Sequence, residues 1–175
     1  MFGSLQYPYH ICRNRRQKVK CCFPAPADEI IIRIAKIDPA PAGDPAADDP
    51  AERASCRPDF FVPCYPVASF TQFPNIGSVN ALLPDFDDMK LRRFFSAELN
   101  VTPDTPPAYI WHTSDDGSVP VENSLLLAGA LSSHGVPFEL HVYPDGPHGI
   151  GLAPEYPDAR HWPEECLRFI KSVCG

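Results

Sequence analysis

Two kinds of side chain in this sequence could share a proton. One is a carboxylate, from the adjacent Asp115 and Asp116 in Ser114-Asp-Asp-Gly-Ser-Val-Pro120. The other is the imidazole of His148, at the tip of Pro144-Asp-Gly-Pro-His-Gly149. A carboxylate that holds an imidazole in one tautomer leaves the far ring nitrogen free to take a proton from a nucleophile. That is the acid–base half of a Ser-His-Asp arrangement. The chemistry requires the two loops to meet, so it depends on the elements that carry them.

Ala108-Tyr-Ile-Trp-His-Thr113 is an apolar run of strand length, and Phe138-Glu-Leu-His-Val-Tyr143 alternates as a strand does. Between them, residues 121–134 follow a helical pattern. Two strands joined by a helix in so short a span are expected to be parallel neighbours with a right-handed crossover. Their C-terminal ends then share one sheet edge, with Asp116 and His148 each just past such an end. Neighbouring strands lie about 4.8 Å apart, so the carboxylate and the ring are within reach of each other. Open α/β sheets carry their chemistry on this edge.

The other elements follow from the same patterns. The helix opens with Pro120 and Glu122 near its first turn and closes at Gly135. Its expected buried stripe is Val121, Leu125, Ala128 and Leu131. On the second strand, Phe138, Leu140 and Val142 should share one face, with Glu139, His141 and Tyr143 on the other. A last helix is expected over 162–173, burying Trp162, Cys166, Phe169, Ile170 and Val173. Upstream, Asp59-Phe-Phe-Val-Pro-Cys-Tyr-Pro66 reads as a buried strand in which Pro63 removes a ladder donor. Residues 67–83 read as loop. Residues 85–99 read as a short helix with Phe86, Met89, Leu91, Phe94 and Phe95 as its apolar members. Residues 29–34 suit a short strand, and 38–58, rich in Pro, Ala and Asp, read as a loop. The order is that of an α/β fold with a parallel sheet and flanking helices.

Composition narrows the classes. The 175 residues suit one domain, and no apolar run is long enough to span a membrane. The N-terminus lacks a charged-then-apolar leader, so the default compartment is cytoplasmic. The net charge of −7 is unevenly placed: residues 1–36 carry seven Lys/Arg against two acids, and residues 37–175 carry eight against twenty. The acidic body argues against nucleic-acid binding, and the basic run at 13–20 reads as a solvated segment. The seven cysteines form no C-x-x-C pair and are expected to be free thiols, with neither a zinc site nor a disulfide framework. His134, His141 and His148 fall seven apart but on a helix end, a strand and a loop, so no metal site is expected. His112 ends an apolar strand and should be packed. Ser69 and Ser78 are read as structural, and Asp115 as a turn-former bonding local backbone. No cofactor is expected.

Several stretches together resemble a bacterial α/β-hydrolase group, the acetyl-esterase/lipase-like proteins that include feruloyl-esterase-like and acetylxylan-esterase-like members. They are Gly43-Asp-Pro-Ala-Ala-Asp-Asp-Pro50, Arg57-Pro-Asp-Phe60, Cys64-Tyr-Pro66, Val101-Thr-Pro-Asp-Thr-Pro-Pro107, His112-Thr-Ser-Asp-Asp-Gly-Ser-Val-Pro120 and Tyr143-Pro-Asp-Gly-Pro-His-Gly149. The resemblance covers about three quarters of the chain, from Gly43 onward, and corresponds to the C-terminal half of that fold. It implies that Asp116, rather than Asp115, is the triad acid and His148 the base. It also implies a serine nucleophile upstream, on a G-x-S-x-G elbow.

No G-x-S-x-G occurs in the 175 residues. Where the family's elbow reads G-F-S-A-G, this chain reads Cys22-Phe-Pro-Ala-Pro26, with Pro24 at the nucleophile position and both flanking glycines gone. Residues 1–42 are therefore expected to be an irregular segment out of register with the family, and 43–175 a partial hydrolase domain. Three readings follow. The first is an ester hydrolase for small acyl esters, including those of carbohydrates, that is inactive alone for want of a nucleophile. The second is a non-catalytic fragment or pseudoenzyme, self-associating through an exposed sheet edge. The third is a prolyl-peptidase-like or dienelactone-type hydrolase, which shares the fold and triad order.

Overall fold

A computed structural model describes residues 44–50, 53, 57–83 and 85–174. In chain order the elements are α1 (Ile76–Leu82), α2 (Met89–Phe95), β1 (Ala108–Thr113), α3 (Glu122–Ser133), β2 (Phe138–Tyr143) and α4 (Trp162–Cys174). Single 3-10 turns lie at Ala97–Leu99 and Ala159–His161.

β1 and β2 pair in parallel, in register from Ala108 opposite Phe138 to Thr113 opposite Tyr143. Both strands have the bounds that the apolar runs suggest. β1 is buried along its whole length, because it has a neighbour on each side. On the side away from β2 runs the segment 59–66. There Phe61 N–H donates to the Pro107 carbonyl (3.0 Å) and Tyr65 N–H to that of Trp111 (2.7 Å). Tyr109 and Trp111 N–H donate back to the carbonyls of Phe61 (3.0 Å) and Pro63 (3.2 Å). The alternation lacks one donor, the N–H that Pro63 does not have. This expected buried strand is therefore reduced to two parallel bridges, Phe61 to Ala108 and Cys64 to Trp111. β2 is half-buried, with Val142 exposed rather than packed beside Phe138 and Leu140.

The alternation of β1 divides the core in two. Ala108 and Ile110 pack with Leu127, Ala128 and Leu131 of α3. Tyr109 and Trp111 pack with Trp162, Cys166 and Phe169 of α4, the stripe expected of the last helix. Each fully buried large side chain contributes roughly 1.5–3 kcal/mol of transfer free energy, so β1 is the principal anchor of both layers. α3 ends as expected: Gly135 takes φ +69°, and Val136 and Gly135 N–H donate to the carbonyls of Leu131 and Ser132. Its buried face, however, is Asn123, Ser124, Leu127, Ala128 and Leu131, and Leu125 is exposed.

The region before β1 departs further from expectation. Part of the anticipated loop 67–83 is helix α1, capped by Asn75, whose Oδ1 accepts from Ser78 N–H (2.8 Å). α2 is shorter than the expected helix. Phe86, Met89 and Phe94 are exposed, while Arg92 is buried, donating Nε–H to the Phe70 carbonyl (2.6 Å) beneath the Phe86 ring. Val67, Phe70, Val79 and Leu83 form a third cluster that includes Val119 of the acid loop.

Cys64 and Cys166 are free thiols. Burial pushes those of Cys64 and Cys166 up to about 12, which suits packing rather than nucleophilic attack. The expected strand at 29–34, the basic run at 13–20, residues 22–26 and the boundary at 42 lie outside the described residues. Among the described residues no helix is long and apolar enough to cross a membrane.

Candidate active site

The pairing of β1 with β2 continues one step past the strands, where Ser114 N–H donates to the Tyr143 carbonyl (2.8 Å). Both following loops therefore leave the same sheet edge. In the first, Asp116 turns inward and its side chain is wholly buried. Its Oδ1 accepts the N–H groups of Ser118 and Val119, each at 2.9 Å. Its Oδ2 lies 2.8 Å from Nδ1 of His148. Burial opposes ionisation of this carboxyl, but the Val119 N–H, the His148 bond and the Ser118 N–H together outweigh it and hold its pKa below the ordinary 3.8.

An ionised carboxylate only accepts, so the His148 proton sits on Nδ1 and, in the neutral ring, Nε2 carries the lone pair. Among the described residues Nε2 has no hydrogen-bond partner. The side chain is about a quarter exposed and lines an open cavity of about 260 Å³ with Val67, Asn75, Ser78 and Val119. The ring is thus oriented from behind and accessible in front, as a general base must be.

The histidine loop is fixed by the end of β1. Thr113 donates its hydroxyl proton to the Gly146 carbonyl, and Ser114 donates to that of Pro144 (3.0 Å). Asp115 does not bond local backbone, as a turn-former would. Its Oδ1 accepts from Gly146 N–H, thirty-one residues away, at 2.8 Å. The adjacent carboxylates thus divide the work: Asp115 holds the loop and Asp116 the ring within it. Gly146, at φ +142°, has no room for a side chain, since a Cβ would lie 2.9 Å from Ile150 Cδ1 and 3.1 Å from Thr113 Cγ2.

Two further residues touch the pair. Tyr65, at the end of the proline-broken strand, has φ +37°, which is strained for a non-glycine residue. Its ring meets His148 edge to face at 4.8 Å and Trp111 at 4.9 Å, and its hydroxyl accepts from Gly151 N–H (3.3 Å). His112 is completely buried, with Nδ1 2.7 Å from Ser124 Oγ and Nε2 3.0 Å from the Val119 carbonyl and 3.3 Å from Asp116 Oδ2. Sequence reasoning treated it as merely packed. The available signal was its place four residues before Asp116 at the end of an apolar strand.

The three histidines seven apart have separate partners. His134 bonds the Ala130 carbonyl, His141 lies between Glu139 and Glu165, and His148 meets Asp116. Among the described residues no group of three or more His, Cys, Asp or Glu is placed to hold a metal. Ser69 is structural, its hydroxyl accepting from Thr71 and Gln72 N–H. Ser78 lines the cavity beside His148, with no hydrogen bond to that ring.

This architecture recurs in known proteins. An acetyl ester-xyloside bifunctional hydrolase from Caldicellulosiruptor lactoaceticus superposes with a TM-score of 0.75 at 47% identity, over 82% of this chain and 53% of that one. A sugar hydrolase from Lactococcus lactis gives 0.55 at 33% identity, over 73% and 53%. Endo-1,4-beta-xylanase B of Butyrivibrio fibrisolvens is 40% identical over 99 residues, 57% of this chain and 16% of that protein. The chain therefore spans about half the length of these solved structures, and the described residues form part of an α/β-hydrolase fold. The prolyl oligopeptidase family model matches residues 84–175, which hold both loops and the strands beneath them, and the chain belongs to that family.

Proposed function

We propose that Asp116 and His148 are the acid and base of a serine-type hydrolase of small acyl esters, carbohydrate esters foremost, and that these 175 residues supply them without the nucleophile. The observation that carries the reading is the 2.8 Å contact between a buried carboxylate and a partly exposed ring at one sheet edge. In the reaction, His148 Nε2 takes the proton of a serine hydroxyl as its oxygen attacks the acyl carbonyl. Asp116 stabilises the imidazolium, and the proton passes to the departing alkoxide. Water then repeats the cycle on the acyl-enzyme. The acetyl ester-xyloside hydrolase and the xylanase among the relatives support an acylated sugar as substrate. The absence of G-x-S-x-G, with Pro24 where the serine would stand, supports a chain that is nearly inert alone and a domain that begins near residue 43. The acidic body offers nothing to nucleic acid.

The test is hydrolysis of p-nitrophenyl acetate combined with fluorophosphonate labelling of the purified chain. Slow hydrolysis, lost in His148→Ala, with no covalent adduct is expected, because base and binding remain without a nucleophile. An adduct mapped to a serine here, Ser78 included, would refute the missing nucleophile. Hydrolysis unchanged in His148→Ala would refute the base. Peptide hydrolysis is the second reading, favoured by the family model. Turnover of a prolyl-peptide substrate by the unsubstituted chain, exceeding that of acetyl esters, would replace the first reading with it.

A further inference from the structure

We propose that His112 is a positioning residue for the Asp116–His148 pair: its Nε2–H is a second ring donor aimed at the carboxylate oxygen that holds His148. The proposal rests on the acid–base reading above. The Val119 carbonyl only accepts, so the Nε2 atom 3.0 Å from it must carry the proton. Nδ1 is then bare in the neutral ring and accepts the Ser124 hydroxyl at 2.7 Å. Asp116 Oδ2 lies 3.3 Å from the same nitrogen, so the carboxylate faces the edge of the ring that carries the proton. Burial disfavours the charged ring and lowers the His112 pKa, so the donor stays neutral. That neutrality matters, since a cation here would repel the imidazolium that forms on His148.

Counting donors gives the consequence. Asp116 accepts Ser118 and Val119 N–H on one oxygen and His148 on the other, and His112 Nε2 lies 3.3 Å from that second oxygen. With donors on both oxygens and a ring N–H facing the second, the buried carboxylate cannot rotate without stranding a donor. α3 contributes through Ser124, whose hydroxyl meets His112 Nδ1 at 2.7 Å and holds the ring, so the helix between the two loops also bears on the position of the acid.

The experiment uses the full chain and needs no activity. Nitrogen-15 NMR should find His112 as the Nε2–H tautomer, and the Nδ1–H tautomer would overturn the proposal without any substitution. Carbon-13 titration of the Asp116 carboxyl then compares His112→Asn, whose amide reaches only the Nδ1 position, with His112→Gln, whose amide reaches that of Nε2. The midpoint should rise by about one pH unit in the Asn variant and stay near the native value in the Gln variant. An unchanged midpoint in Asn, or an equal rise in both, would overturn the positioning role. A native midpoint at or above 3.8 with the Nε2–H tautomer intact would instead refute the Asp116–His148 pairing, and with it the proposed function.

Discussion

Two polar clusters flank β2, and among the described residues only one of them leaves a histidine nitrogen without a partner. At the C-terminal edge, Asp116 gathers two backbone N–H groups and two rings, and one of those rings reaches an open cavity with Nε2 unengaged. Between β2 and α4, Glu165 gathers the hydroxyls of Tyr109 (3.2 Å) and Tyr143 and Nδ1 of His141 (3.4 Å). There His141 turns its other nitrogen to Glu139 (3.2 Å), which Arg168 also meets (3.1 Å). Burial raises the pKa of both tyrosines, so they remain donors. Each cluster pairs a carboxylate with histidine. In the second, both ring nitrogens of His141 face a carboxylate, and the product is adhesion between strand and helix. A carboxylate–histidine contact becomes a candidate site only when the far nitrogen stays available.

The largest expected effect is that of Asp116→Asn. The amide oxygen can still accept from Ser118 and Val119, but the NH2 group would face two ring donors. Breaking such a buried charged network should cost about 3 kcal/mol, read as a lower urea midpoint with an unchanged m-value. A loss below about 1 kcal/mol would mean that the four donors do not act as one network. Gly146→Ala comes next, at about 2 kcal/mol. It strains φ at +142° and drives a Cβ to 2.9 Å from Ile150 Cδ1. Its crystal structure should show the 144–149 loop displaced from Asp115, and an undisturbed Gly146–Asp115 bond would contradict the clamp.

What the sequence revealed follows a physical line. β1 and β2 were legible to the residue because each is a six-residue run rich in β-branched and aromatic side chains bracketed by turn residues. The meeting of Asp116 and His148 followed from strand adjacency alone. The buried face of α3 was not legible, because two of its members are polar. Asn123 accepts from Ala68 and Ser69 N–H and donates to the Phe73 carbonyl, and Ser124 bonds His112. A hydrophobic stripe cannot anticipate such partners, which are set by tertiary contacts. α1 escaped notice because Gly77 and Asn80 dilute a seven-residue helix. Asp115 was misread because its partner lies thirty-one residues away, beyond any local turn rule.

The pH dependence of stability distinguishes the clusters next. Asp116 has a folded pKa below its ordinary 3.8. Its contribution is therefore complete above pH 3.8 and disappears as pH falls through the lower folded value. The stability gap between the native chain and Asp116→Asn should narrow only below that point, by no more than about 1.4 kcal/mol per pH unit. Thermal melts at pH 5 and pH 3 would show it, and a constant gap would mean that the carboxylate is not stabilised by folding.

The smallest expected effect belongs to Glu165→Gln. The Glu165 side chain is about a third exposed, so solvent screens its charge. The Gln oxygen can accept from both tyrosines as the carboxylate does, and only the attraction to His141 is lost. The expected cost is therefore below about 1 kcal/mol, with the urea midpoint close to native and the Asp116 carboxyl titration unmoved. If Glu165→Gln destabilises as much as Asp116→Asn, the second cluster is a charged network of equal weight, and burial alone does not separate the two. If it also shifts the Asp116 titration, the clusters are coupled through β2, whose alternation places His141 and Tyr143 on the α4 side. An unmoved titration would show that the strand isolates the pair at its tip from the adhesive contacts along its face.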